Sequence, residues 1–110
     1  MKFEDKYGII YCKDNSYIEE FDKKRYYYHK NITYYRGCLV HKLFGPAVEY
    51  NNGVKGWYKN GRIHREDGPA IEWGIDGMKE WWLNNKEYTE EDYWKFIKNW
   101  KSKKRVLDEI

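Results

Sequence analysis

Between Gly37 and Tyr88 apolar and polar residues alternate in short runs, and each run is stopped by a turn dipeptide. Successive side chains on a strand point to opposite faces. In VEY at 48–50 and IEW at 71–73, therefore, Val48, Tyr50, Ile71 and Trp73 take one face, and Glu49 and Glu72 the other. Asn52-Gly53 and Asn60-Gly61 supply the positive backbone torsions of a two-residue type I′ hairpin turn, and Asp67-Gly68 and Asp76-Gly77 add two more turn signals. A turn every 6 to 9 residues leaves room only for short antiparallel strands. These are predicted near 46–50, 54–59, 62–64, 69–73, 78–83 and 86–88. Pro46 and Pro69 lack an amide donor and so open a strand or sit on an edge. Past Thr89 the period changes. TEEDYWKFIKNWKSKK has a threonine N-cap, acids behind it, Tyr93, Phe96, Ile97 and Trp100 at helical spacing, and basic residues at its end. The fold class expected is mainly β, an antiparallel β-hairpin repeat meander closed by a C-terminal α-helix of three or four turns whose stripe covers the sheet.

The alternation is itself repeated. HKLFGPAVEY at 41–50 returns as HREDGPAIEW at 64–73, 23 residues on. Beyond it Gly53, Trp57, Tyr58 and Asn60 answer to Gly77, Trp81, Trp82 and Asn84 after one inserted residue. Tyr34, Tyr35 and Gly37 read as a partial earlier copy of Trp57, Tyr58 and Gly61. A recurring unit of this length is one supersecondary element that stacks on its neighbours. The chain divides into a degenerate segment 1–36, a β-repeat region 37–88 and a helix 89–105, all in one domain. Each adjacent pair, Tyr34-Tyr35, Trp57-Tyr58 and Trp81-Trp82, puts one ring on each face of its strand. One ladder of rings is core; the other is either a second core or an exposed strip. Residues 7–12 read as a strand and 26–35 as a hairpin turning at Lys30-Asn31, while 15–24 read as a helix turn or a loop.

At 110 residues a chain buries only about 60 to 70% of its unfolded surface, so its core must be rich in large side chains. The 12 Tyr, 6 Trp and 4 Phe meet that need and argue against disorder. The net charge of +3 is too small to announce a nucleic-acid protein. Basic clusters at 22–25 and 98–106 read as a solvated loop and helix end. MKFEDKYGIIYC is too acidic, and its apolar run too short, for a signal peptide. Cys12 and Cys38 form no disulfide framework and read as small core residues of a cytoplasmic protein.

His64 with Glu66 and Asp67 close by invites a catalytic reading, but no nucleophile or metal set accompanies it. The same histidine recurs as His41, as a residue solving a structural problem of the repeat would. His41 and His64 are expected to hydrogen-bond the tight loops that lead to Gly45-Pro46 and Gly68-Pro69, with Asp67 in the second. Cys38 and His41 have ligand spacing without a second close pair, so no metal is expected. Nor is a cofactor or an enzymatic activity.

The pattern H-R-x-D-G-P-A, a hairpin, a W-[WY]-x-N-[GN] turn and a closing aromatic helix resembles MORN-like repeat proteins, in a Gly-Pro-Ala variant of bacteria, phages and giant viruses. The resemblance spans about residues 34–97. It implies stacked hairpins used as scaffold or binding surface. A small array of this kind looks like a dedicated binder, such as a phage-type inhibitor of a bacterial defence effector (a CRISPR system, for instance) working by steric occlusion in the host cytoplasm. The expected ligand is one protein partner, bound by Tyr34, Tyr35, Trp57, Tyr58, Trp81, Trp82, Arg62 and Arg65, residue types enriched at hot spots. The alternative is a single-stranded nucleic acid or nucleotide signal stacked on the rings. A membrane-surface scaffold resting on the basic helix is a third reading.

Overall fold

The computed structural model describes residues 1–13, 26–29 and 31–108, with the side chains of 27, 29 and 102–108 excepted. The 15–24 stretch, Lys30 and the 22–25 cluster therefore lie outside the described residues. The elements are β1 (Lys2–Asp5), β2 (Gly8–Lys13), β3 (Tyr26–His29), β4 (Ile32–Tyr35), β5 (Cys38–Val40), β6 (Val48–Tyr50), β7 (Val54–Gly56), β8 (Tyr58–Lys59), β9 (Arg62–Ile63), β10 (Ile71–Trp73), β11 (Lys79–Leu83), β12 (Lys86–Tyr88) and α1 (Glu90–Asp108). Every pairing is antiparallel. The large sheet runs β12-β11-β10-β7-β6-β2-β5-β4-β3 with β1 on β2, and β8-β9 stand as a separate ribbon. The expected class, a mainly β hairpin array with a C-terminal helix, is the one observed.

Strand β2 departs from a plain meander. Its first half pairs with β6 through Gly8↔Tyr50 and Ile10↔Val48, its second with β5 through Cys12↔Val40 and Lys13↔Leu39. Tyr11 N–H donates to Ala47 O at 2.7 Å, and Tyr11 O accepts from His41 N–H at 3.1 Å. One copy later Trp57 makes the same two bonds, to Ala70 O at 2.7 Å and from His64 N–H at 3.0 Å. Tyr11 is thus the counterpart of Trp57 in the first copy. The reading that gave this place to Tyr34 is corrected, since Tyr34 and Tyr35 lie on β4, on the other edge of β5. The copy is split in sequence: residues 14–38 stand where the later copy has the two-residue turn Asn60-Gly61.

Two of the turns follow expectation. Asn60 (φ 53) and Gly61 (φ 77) form the tip between β8 and β9, and Asn84 (φ 49) and Asn85 (φ 66) form the next. The turn at Asn52-Gly53 is corrected: only Gly53 (φ 91) is left-handed, and its N–H reaches Tyr50 O at 3.0 Å. That is a three-residue loop, the next commonest hairpin connection. The strand expected over 54–59 breaks at Trp57, where the chain leaves β10 for the β8-β9 ribbon.

Two apolar clusters hold the array. Ile10, Tyr35, Val40, Ala47 and Val48 form the first, with Phe3, Tyr26, Tyr50 and Tyr58 packed against it. Leu83, Tyr93 and Ile97 form the second, beside Trp81 and Tyr88. Ala47 and Ala70 are fully buried where backbones approach closely, and both cysteines are buried. Helix α1 starts behind Thr89, whose Oγ1 accepts Asp92 N–H at 3.2 Å as an N-cap should. It is longer than expected, and its buried stripe is narrower. Tyr93 and Ile97 are sealed, while Phe96 and Trp100 stay 48% and 36% exposed. A straight helix on a curled sheet touches along one line, and the i, i+4 pair occupies it.

Candidate functional site: two motif loops and the cleft between them

Each Gly-Pro-Ala loop joins one hairpin to the next, and the bonds it makes show why. Nδ1 of His41 accepts Asn60 N–H at 2.9 Å, while Lys42 N–H donates to Tyr58 O at 3.2 Å. In the second copy His64 Nδ1 accepts Asn84 N–H at 3.1 Å, and Arg65 N–H donates to Trp82 O at 3.2 Å. The histidines therefore grip the following hairpin. The expectation that they bond their own loops holds only for Nε2 of His64, on Glu66; the Nδ1 bonds reach outward instead, because two-residue tips leave a backbone amide facing the preceding unit and the imidazole nitrogen is its acceptor. Because Nδ1 accepts, the proton of the neutral ring sits on Nε2, which in His64 lies 3.1 Å from Glu66 Oε1. Burial, followed by the charges of Lys13 and Lys59, holds the His41 pKa below the usual imidazole value.

The residue after each histidine places a cation on a ring. Lys42 Nζ lies 3.8 Å from the Tyr11 centroid, and Arg65 Cζ lies 3.8 Å from that of Trp57. Both are within cation–π range, and they mark Tyr11 and Trp57 as equivalent a second time.

The loops differ in what closes them. In the second, Arg65 Nε donates to Asp67 Oδ1 at 2.9 Å and Nη1 to Pro69 O at 2.9 Å. The Tyr93 hydroxyl of α1 donates to Arg65 O and accepts Gly68 N–H. Burial pushes the pKa of that phenol up. In the first loop Leu43 and Phe44 stand in place of Glu66 and Asp67, 73% and 86% exposed. Lys42 O and Gly45 N–H, the counterparts of the groups that Tyr93 binds, have no hydrogen-bond partner among the described residues.

Between the loops opens a cleft of about 630 Å³, lined among others by Lys42, Phe44, Trp57, Lys59, Arg65 and Lys101. A second hollow of about 530 Å³ shares Lys59, His64 and Glu66 with it and runs on past Arg62 and Lys86 to Phe96 and Trp100. The two acids of the cleft are already engaged, Glu66 with His64 and Asp67 with Arg65. Its lysines give it a cationic rim.

Of the residues singled out from sequence, the structure brings Trp57, Tyr58 and Arg65 to the first hollow and Arg62 to the second. The motif residues Gly45, His64 and Asp67 also line the first hollow, while the four other rings expected to bind lie elsewhere. Tyr35 is core, its ring packed edge-on against Phe3 and tilted against Tyr26 at centroid distances of 5.4 and 5.1 Å, and Tyr34 is half-buried on β4. Trp81 is packed against the second cluster, and the half-buried Trp82 donates its indole N–H to Glu80 at 2.8 Å. Phe44 and Leu43 are among the apolar side chains that do face out, with Tyr7, Tyr28, Trp94 and Phe96 and, at the β10–β11 tip, Trp73, Ile75 and Met78. Sequence reasoning passed over Leu43 and Phe44 as binding residues, although their departure from the Glu-Asp of the second copy was the visible signal.

Among the described residues no three His, Cys, Asp or Glu side chains group as metal ligands, and no helix is long and apolar enough to cross a membrane. No family model, curated protein or solved structure matches the chain.

Proposed function

We propose that this chain is a non-enzymatic protein-binding module that engages one partner at the cleft between its motif loops. The observation that carries the reading is Phe44, 86% exposed beside Leu43 on a loop whose sister copy holds two acids at the same places. Contiguous exposed apolar side chains rimmed by polar residues mark interaction sites. Trp57 and Arg65 in the cleft wall are residue types that carry interface energy. The resemblance to Gly-Pro-Ala repeats supports the same scaffold role. In a phage or bacterial setting the partner is a defence effector, which the module blocks by covering its surface.

The test is capture of a partner from lysate by the immobilised chain, with and without nuclease, compared with the L43E/F44D variant that rewrites the first loop as the second. Nuclease-resistant capture lost in the variant supports the module. A second reading, binding of single-stranded nucleic acid, rests on Lys42, Lys59, Arg62, Lys86 and Lys101 along the two hollows. It takes over if capture follows nucleic acid and collapses steeply between low and physiological salt.

A further inference from the structure

The β8-β9 and β11-β12 hairpins are built alike, yet the space beside the loop that precedes each is filled in one case and open in the other. Beside loop 64–70 the space is taken by α1. The Tyr93 ring is fully buried there, its hydroxyl joins Arg65 O to Gly68 N–H, and Ile97 one turn on packs on Leu83. Stepping back one copy maps this docking site onto the first loop. Arg65 and Gly68 become Lys42 and Gly45, Trp81 becomes Trp57, and Leu83, next to its hairpin tip, becomes Lys59, next to Asn60. All four of those counterparts line the open cleft.

We infer that this cleft receives a helix of the partner protein that carries a tyrosine, docked beside loop 41–47 as α1 is docked beside loop 64–70. The inference rests on the protein-binding reading and adds the form of the ligand. The tyrosine ring enters between Phe44 and Trp57, and its hydroxyl donates to Lys42 O and accepts from Gly45 N–H. One helical turn later, where α1 has Ile97 against Leu83, the partner faces Lys59 and so carries an aspartate or glutamate. Lys42 and Lys101 on the same rim favour further acids on that helix. Leu43 and Phe44, freed from the acids of the second copy, form the apolar lip that a helix face covers.

The molecule supplies its own probe. A synthetic peptide copying residues 89–101 with Ile97→Glu retains the tyrosine and places the acid four residues behind it. Titrated into the full-length chain labelled with ¹⁵N, it is expected to shift the amides of Leu43 to Gly45 and Lys59 and the indole of Trp57. Replacing its tyrosine by phenylalanine is expected to weaken binding at least about fivefold, by loss of the hydroxyl bonds. Lys59→Glu in the protein is expected to reverse the preference, so that a peptide with Ile97→Lys binds the better. The inference is overturned if no shifts appear at millimolar peptide, if they fall instead on Leu83 and Tyr88 because the peptide displaces α1, or if the phenylalanine peptide binds equally. It is overturned too if a dT12 oligonucleotide binds the cleft and the peptide does not. Should the peptide fail while nuclease-resistant capture still depends on Phe44, the helix mode falls and the binding module stands.

Discussion

Nδ1 of His41 holds the amide of Asn60, 19 residues away and at the tip of the next hairpin, at 2.9 Å. The bond is a stitch between units, and His64 repeats it on Asn84. Stacked units of this size depend on their interfaces for stability, so both histidines matter to the fold, but unequally. Asn60 is half-buried, and removing its acceptor leaves a desolvated amide; Asn84 is exposed, and water can take over. His41→Ala is expected to destabilise by about 1 to 3 kcal/mol and His64→Ala by about 1 kcal/mol. Urea unfolding of the two variants at pH 7 measures the difference. Equal effects would place the histidines' contribution somewhere other than in these bonds.

The same bond makes the array sensitive to acid. Protonation at Nδ1 turns the acceptor into a donor facing another donor, and burial with Lys13 and Lys59 nearby already lowers the His41 pKa from 6.5. The folded state then binds fewer protons than the unfolded chain. Stability from this group is complete above the unfolded value and declines as pH falls through it toward the folded one. The urea midpoint is expected to drop between pH 7 and pH 5, and His41→Gln, which does not titrate, is expected to flatten that drop. An unchanged profile in the variant would assign the acid limb to carboxylates.

Much of this architecture is legible in the residues. The turn dipeptides, the alternation around Glu49 and Glu72 and the capped helix at Thr89 are local signals, and local signals fix element type. Register across an insertion is not local. Tyr11 does the work of Trp57, but 14–38 separate it from the rest of its copy, so one period of 23 residues back from Trp57 leads to Tyr34 instead. The partner of His41 was equally hidden, because spacing cannot say which of two neighbouring loops an imidazole faces. The cleft was half legible: Leu43-Phe44 breaks the repeat in plain view, whereas its openness depends on where α1 and Lys101 settle.

Gly61 tests how tightly successive hairpins interlock. It sits at φ +77, and a Cβ there would meet Ile32 Cγ2 at 2.3 Å, Leu39 Cδ1 at 2.6 Å and Thr33 O at 3.0 Å. Gly77 has a similar φ of +66 with nothing within 4 Å. Both alanine variants incur the left-handed penalty, about 1 kcal/mol. Gly61→Ala must also push β4 and β5 away, so it is expected to cost on the order of 3 kcal/mol or more in all. Thermal unfolding of the two side by side separates the terms; equal midpoints would mean that the β8-β9 tip does not seat on β4 and β5.

Tyr93 is the residue through which the helix closes the array, and its ring and hydroxyl make separable contributions. The ring is fully buried with Leu83 and Ile97, so Tyr93→Ala is expected to cost about 3 to 5 kcal/mol. Tyr93→Phe keeps the ring and removes the oxygen shared by Arg65 O and Gly68 N–H; since Gly68 is buried, the loss is expected to be about 1 to 3 kcal/mol. The hydroxyl also predicts an alkaline limb. Burial raises its pKa above the ordinary 10.0, so the folded state keeps a proton that the unfolded chain loses. Stability from this group is complete below pH 10 and declines as pH rises through the folded value. Tyr26 and Tyr58 are raised in the same direction, so Tyr93→Phe is expected to shallow the limb without abolishing it. Guanidinium unfolding at pH 8 and pH 11 reads both effects. A phenylalanine variant as stable as the parent at pH 8, with an unchanged alkaline decline, would show that α1 is held by its apolar stripe alone and that loop 64–70 closes without it.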